Sequence, residues 1–443
     1  MLKRLLFLNF TLAHRIGARF SRQFSLLGHA LLTVLGAAAA FGVNTRVAAT
    51  YQWFTLLAAL FAIGLLWTFV TRNRRPHITA ERQLPRHATV GETLRYRLTL
   101  THAGRRVERG WSLLDQLAGG YPDWAEFAAA REPRSRNPFD RYVGFPKWQA
   151  LLRAKRGASI AERTVPDLPP GQRVKLDMEL TPLRRGRLQF ADLSLFRPDP
   201  FGLSRSRHIL ALPGVCTVLP RCYPMSALPQ GHGRCHQRGG VALANTVGES
   251  QEFLSLRDYR QGDPLRSIHW RSSARAGRWV VKEFQDEYFV RRALVLDTFC
   301  DAARALDFEA AVSAAASLAV AEPLRDSLLD LLFVEQQAHC FTAGRGLAQA
   351  SALLDVLAGV RPADGSFAVL AQSVLRRAGA LSGVVCVLLD WDAPRREFAG
   401  SLRALGLPVA VLLVREQAPG PTDPGLFLRH VRPAHVAEDL LWN

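Results

Sequence analysis

The chain has 443 residues, with 57 Lys and Arg against 38 Asp and Glu, a formal net charge of +19. That length allows two or three domains, each with a proper core. No recognised basic nucleic-acid motif accompanies the surplus, so nucleic acid is an unlikely partner and a membrane surface is the better match. The charge is uneven: residues 1–75 carry nine cations and no acid, 76–240 carry 27 against 14, and 293–443 carry 12 against 17. The six cysteines, Cys216, Cys222, Cys235, Cys300, Cys340 and Cys386, form no C-x-x-C pair and read as reduced thiols. Cys222, Cys235 and His236 lack the paired spacing of a zinc site.

In chain order, residues 1–75 come first. No Asp, Glu, Lys or Arg occurs between Arg22 and Arg46, nor between Arg46 and Arg72. Two apolar stretches, about 25–43 and 51–70, are each long enough to cross the hydrocarbon core as helix. Asn44-Thr45-Arg46 supplies a turn, and Tyr51, Trp53 and Trp67 suit the interfaces. The reading is an uncleaved two-helix transmembrane hairpin rather than a signal peptide. Lys3, Arg4, Arg15, Arg19 and Arg22 precede it and Arg72, Arg74 and Arg75 follow, against Arg46 alone in the loop. The positive-inside rule therefore places both termini in the cytoplasm, as for a multi-pass protein of a bacterial inner membrane.

Residues 76–230 read as a β-sandwich-like domain. Leu94, Tyr96, Leu98 and Leu100 alternate, as do Val174, Leu176, Met178 and Leu180. Phe190, Leu193 and Leu195 continue toward a turn at Pro198-Asp199-Pro200. The interval from about 121 to 159 breaks the pattern and reads as an insertion, a loop or short helices along the membrane surface.

Residues 293–443 change period. Strands "RRALVLDTF", "SGVVCVLLDWD" and "LPVAVLLV", and a strand within "LLDLLFVEQQAHCF", alternate with helical stretches of 10–15 residues. That order gives an α/β parallel sheet with both faces covered. Ligands in such sheets sit at strand carboxyl ends, here "LDTFCD" and "LLDWD".

Between these domains, residues 231–292 hold "EFLSLRDYRQGDPLRSIHWRSSARAGRWVVKEF". Its core, Arg257, Tyr259, Gly262, Asp263, Arg266, Ile268 and Trp270, extended by Ser273, Ala274 and Arg275, resembles the bacterial domain-of-unknown-function family 58. "LRRGRLQF", "DPFGL" and the order of segments add to the resemblance. It implies a von Willebrand factor type A-like C-terminal domain. It also implies genetic neighbours of two kinds, a MoxR-type AAA+ ATPase and a transglutaminase-like membrane protein, as possible partners.

The residues of the motif admit three readings. Asp263 with Arg257, Arg266 and Arg275 would form a buried ion network clamping two domains together. Alternatively Arg and Trp anchor a docking surface, or Arg257, Arg260 and Arg266 cradle an anion, without any Gly-rich phosphate loop. Asp263 would cap a helix starting at Pro264 and meet Arg266 three residues on. The type A resemblance implies Mg²⁺ at Asp-x-Ser-x-Ser. Asp297, Phe299 and Asp301 stand in that register without hydroxyls, leaving Asp297, Asp301 and Asp390 as a degenerate metal set. No G-x-S-x-G, H-E-x-x-H or Walker loop occurs, so no catalytic residue and no cofactor is assigned. The expected function is a membrane-anchored, cytosol-facing, non-enzymatic interaction protein. The alternatives are a metal- or anion-dependent enzyme and a membrane-associated nucleic-acid binder.

Overall fold

A computed structural model describes residues 2–40, 48–72, 76–130, 137–228, 253–263, 265–284, 291–301, 304–321, 328–343, 347–420 and 425–442. Cys235, His236 and Pro264 lie outside the described residues. The chain divides into two compact units, the first Met1–Arg221 with two short later pieces, the second most of Cys222–Asn443.

The first unit opens with three helices, α1 (Leu2–Gln23), α2 (Leu26–Ala40) and α3 (Ala48–Arg72). One stretch among the described residues, Gln52–Thr71 in α3, is long and apolar enough to cross a membrane. The first expected span, about 25–43, is described as far as Ala40, where α2 covers Leu26–Ala40, and its remainder lies outside the described residues. The helix over residues 2–23, read from the sequence only as a cationic flank, is an addition. It stops at Phe24-Ser25 because Ser25 caps α2, its hydroxyl accepting from Gly28 N at 3.1 Å.

Among the described residues nine strands follow: β1 (Ile78–Gln83), β2 (His87–Thr89), β3 (Leu94–His102), β4 (Ser112–Leu117), β5 (Ala158–Ser159), β6 (Arg163–Thr164), β7 (Arg173–Pro182), β8 (Gly186–Pro198) and β9 (Arg205–Leu219). They form a four-stranded sheet, β1-β3-β7-β5, and a five-stranded sheet, β2-β9-β8-β4-β6. Both sheets supply one core, with Leu98, Leu100, Leu113, Leu193, Leu195 and Val218 buried in it. The alternation expected for β3 is met, since Leu94, Tyr96, Leu98 and Leu100 all point inward. In β8 the pairing with β9 shifts between Phe190 and Asp192, so the inward set moves from Leu188 and Phe190 to Leu193 and Leu195. A buried ion pair also sits in this unit: Arg82 and Tyr96 both donate to Asp115, the Tyr96 hydroxyl at 2.9 Å. Burial raises the Tyr96 hydroxyl well above its ordinary value.

The insertion resolves into three helices, α4 (Trp124–Ala129), α5 (Pro138–Val143) and α6 (Phe145–Arg156). Phe7 of α1 packs with Phe127, Trp148 and Leu152 in a small core of their own.

The β8–β9 turn meets the helices. Asp199 organises it, accepting from the backbone N–H of Phe201 at 2.9 Å, Leu203 at 3.0 Å and Ser204 at 2.6 Å. Ser25 N donates to Leu203 O at 3.1 Å, and the Ser204 hydroxyl lies 3.2 Å from Gly64 O. Gly28 faces Leu203 so closely that an added methyl would overlap its carbonyl oxygen and lie 2.9 Å from the carbonyl carbon. "DPFGLS" thus shapes a turn that seats against α2 and α3.

In the second unit, β10 (Phe253–Asp258) pairs antiparallel with β11 (Val280–Phe284), and α7 (Trp270–Ala276) lies between them in sequence. The main sheet comprises β12 (Arg291–Leu296), β13 (Leu328–Val334), β14 (Ala338–Ala343), β15 (Gly383–Leu388), β16 (Val409–Val414) and β17 (Phe427–Val431). Its order is β14-β13-β12-β15-β16-β17, parallel except for β14. β15 is buried at every position, as a central strand of a two-faced sheet must be. "LLDLLFVEQQAHCF" holds a hairpin of two strands rather than one, and β17 was not foreseen.

Candidate functional site

The motif is built on the β10–β11 hairpin. Its turn follows β10: Tyr259 N donates to Trp279 O at 2.9 Å, and the two rings meet edge to face with centroids 5.2 Å apart. Gly262 has φ +107°, a conformation that side chains rarely adopt, which accounts for glycine there. The next residue, Asp263, accepts two bonds from Arg257, at 2.6 and 2.7 Å, and one from Arg260 N at 2.9 Å. This fork holds the Asp263 carboxyl down at about 2, with the Arg257 hydrogen bonds as the largest cause.

Asp263 pairs with Arg257 across the turn, a contact not foreseen as the main one, and the expected partner Arg266 has its side chain outside the described residues. One expectation is corrected. The expected helix is described as a 3-10 turn, Leu265–Ser267, followed by an α-helix that begins at Trp270 with His269, not Asp263, at its N-cap. The physical reason is strand pairing: Ile268 bridges to Val281, and His269 N donates to Val280 O at 2.8 Å, which keeps this backbone out of the helix. Of the expected four-residue ion network, the described part is the Arg257–Asp263 pair. Arg257 and Asp263 are partly accessible and Arg275 is exposed on the last turn of α7.

Ser273 is a fastener. Buried, its hydroxyl accepts from Val280 N at 2.9 Å and reaches His269 O at 3.1 Å, tying α7 to β11. The large apolar side chains of the segment are exposed: Trp270 is 65 % exposed and Trp279 55 %, and Leu256 and Leu265 are exposed as well. The hydrogen-bonding groups Asp263 and Ser273 are thus spent on holding the segment's shape, while large apolar side chains stand in solvent. Trp279 was not singled out from sequence; its place within "RWVV", directly before the strand at Val280, was the available signal.

The strand-end acids do not converge. Asp297 is fully buried after β12, and one of its oxygens accepts from Arg395 Nε at 2.7 Å and from Leu389 N at 3.1 Å. The other accepts from Phe299 N at 3.1 Å. Arg395 also reaches Asp392 at 2.7 Å, and Asp392 caps the helix Ala393–Ala404. Asp390 takes Arg415 at 2.8 Å. Among the described residues no group of three or more His, Cys, Asp or Glu is placed to hold a metal. Asp297, Asp301 and Asp390 therefore do not fit Mg²⁺: the positive charge a divalent ion would bring to Asp297 comes from the Arg395 guanidinium. Those carboxylate contacts hold Arg395 above its ordinary value against the opposing effect of burial. The neighbouring Cys386 thiol is pushed up to about 12 by burial, so it stays a protonated core residue.

Residues 255–419 match a family model described as "Protein of unknown function DUF58". The chain is 28% identical over 145 residues to the uncharacterized protein YeaD of Bacillus subtilis, covering 32% of this chain and 35% of that protein. The chain thus spans about a third of that relative's length. Among solved structures, a Salmonella alpha-2-macroglobulin mutant is 14% identical, covering 34% of this chain and 7% of that one at a TM-score of 0.20. Proximal thread matrix protein 1 from the mussel byssus is 10% identical, covering 34% and 46% at a TM-score of 0.26. At these scores the structural likenesses carry no argument.

Proposed function

We propose that this chain is a membrane-anchored, cytosol-facing interaction protein without catalytic activity, and that the motif hairpin is its docking surface. The observation that carries the reading is the division of labour in that hairpin. Arg257, Asp263 and Ser273 hold its shape, while Trp270 and Trp279 stand exposed. Aromatic residues on a rigid support make anchors for a protein partner. The Asp297–Arg395 pair weighs against the enzyme alternative, because it occupies the carboxylate on which a metal-dependent reaction would depend.

In this reading α2 and α3 are the membrane anchor, and the cations flanking them set both ends in the cytoplasm of a bacterial inner membrane. The second unit is von Willebrand factor type A-like, consistent with five parallel strands and an antiparallel edge. The partner is a MoxR-type AAA+ ATPase, with a transglutaminase-like membrane protein as a further member. The test is crosslinking in native membranes with the parent chain and with Trp270→Ala and Trp279→Ala. The reading expects the ATPase to be captured by the parent and lost from both variants while melting stays unchanged. Capture unaffected by both substitutions would sink it.

A further inference from the structure

α1 has two apolar faces, and among the described residues only one is covered. Phe7, Phe10 and His14 turn toward the insertion: Phe7 lies 5.2 Å from Phe127, Phe10 5.3 Å from Phe145, and His14 5.3 Å from Trp148. On the opposite side Leu5, Leu8, Leu12, Ile16 and Phe20 are all exposed. At 100° per residue these five fall within a sector of about 120°, one stripe along a helix about 33 Å long. Arg4, Arg15 and Arg22 border that stripe along one flank, Arg19 stands just inside the same edge, and residues 1–75 contain no acid. Such cations, spread over both ends, exclude α1 as a span of its own.

From this we infer that α1 lies in the plane of the membrane surface, its leucine stripe among the acyl chains and its arginines on anionic headgroups. The inference rests on the reading of α3 as membrane anchor. Three observations commit the stripe to lipid. Only Phe24 and Ser25 separate α1 from the apolar helix α2, and Phe24 stacks on Phe61 of α3 at 5.6 Å, so α1 starts beside the anchor. The exposed apolar surface continues beyond it through Leu26, Leu27 and Val34. The charge decides against a second copy of the chain, because pairing two such stripes would set arginine rows against each other, whereas an anionic bilayer satisfies stripe and flank together. Through Phe7 and Phe10 the helix would also hold the α4–α6 insertion close to the bilayer.

The experiment uses the full chain in nanodiscs of phosphatidylethanolamine with phosphatidylglycerol, carrying one fluorescent amino acid at Leu12, Ser21 or Ile63. At Leu12, spin-labelled lipid should quench several-fold more than at Ser21, which is exposed off the stripe, and aqueous iodide should quench several-fold less. Replacing both lipids by phosphatidylcholine should reduce the lipid quenching at Leu12. A Leu12 probe open to iodide, or shielded from both quenchers as under a covering protein, overturns the proposal. Equal lipid quenching in the two compositions does so too. Ile63, exposed on α3, separates the two levels. Loss of lipid quenching at Ile63 defeats the anchor itself, while quenching at Ile63 without quenching at Leu12 defeats only the inference about α1.

Discussion

Replacing Asp297 tests whether the end of β12 is a structural ion pair or a metal site. In the parent, Asp297 is fully buried and Arg395 is 6 % exposed, with Nε 2.7 Å from the carboxylate. Asp297→Ala strands the guanidinium and also leaves Leu389 N and Phe299 N without their acceptor. Breaking a buried pair from one side costs about 3–5 kcal/mol, because the remaining charge stays desolvated. For a unit of this size that corresponds to a fall of about 10 °C in Tm. Asp297→Leu combined with Arg395→Met removes both charges and should cost clearly less than the sum of the single changes. The assay is thermal melting of the detergent-solubilised full chain, with hydrogen exchange of Arg291–Leu296 reporting the second unit. A bound Mg²⁺ at a hundredfold excess over its Kd would add about 2.7 kcal/mol, whereas the ion-pair reading expects excess Mg²⁺ to leave the parent unchanged. A Mg²⁺-dependent rise in Tm that disappears in Asp297→Ala would refute the reasoning, and so would a parent-like Tm for that variant.

Further outcomes follow from other contacts. Asp115→Ala should destabilise the first unit by about 3–5 kcal/mol, read by hydrogen exchange of β3, because Arg82 loses its buried partner. Gly28→Ala should separate the Asp199–Ser204 turn from α2, since the new methyl meets the Leu203 carbonyl; a Ser25→Cys/Gly202→Cys crosslink that forms in the parent background should weaken. The Asp263 carboxyl titrates at about 2 in the folded chain against 3.8 ordinarily. Its folded value is the lower, so its contribution is complete above about 3.8 and fades as pH falls toward 2. Asp263→Asn should therefore remove acid sensitivity from hydrogen exchange in the β10–β11 hairpin between those values.

By itself the sequence determined the elements whose partners are close by or whose pattern is saturated. β3 is legible because alternate residues fall on one buried face, and β15 because an unbroken apolar run suits a strand covered on both sides. The motif was legible as a constrained segment, and Gly262 as its turn, because a left-handed backbone needs glycine wherever it occurs. Even α1 carried its stripe in the spacing of Leu5, Leu8, Leu12 and Ile16. The tertiary structure alone decided the pairings. The hairpin folds Arg257 onto Asp263, six residues on, and pairing with β11 keeps the backbone at Ile268–His269 out of the helix. Asp297 read as a metal ligand until the fold delivered Arg395, 98 residues on, to its carboxylate. Local spacing governs backbone conformation, whereas a buried charge is satisfied by whichever opposite charge the packing brings within hydrogen-bond reach, and that depends on the whole chain.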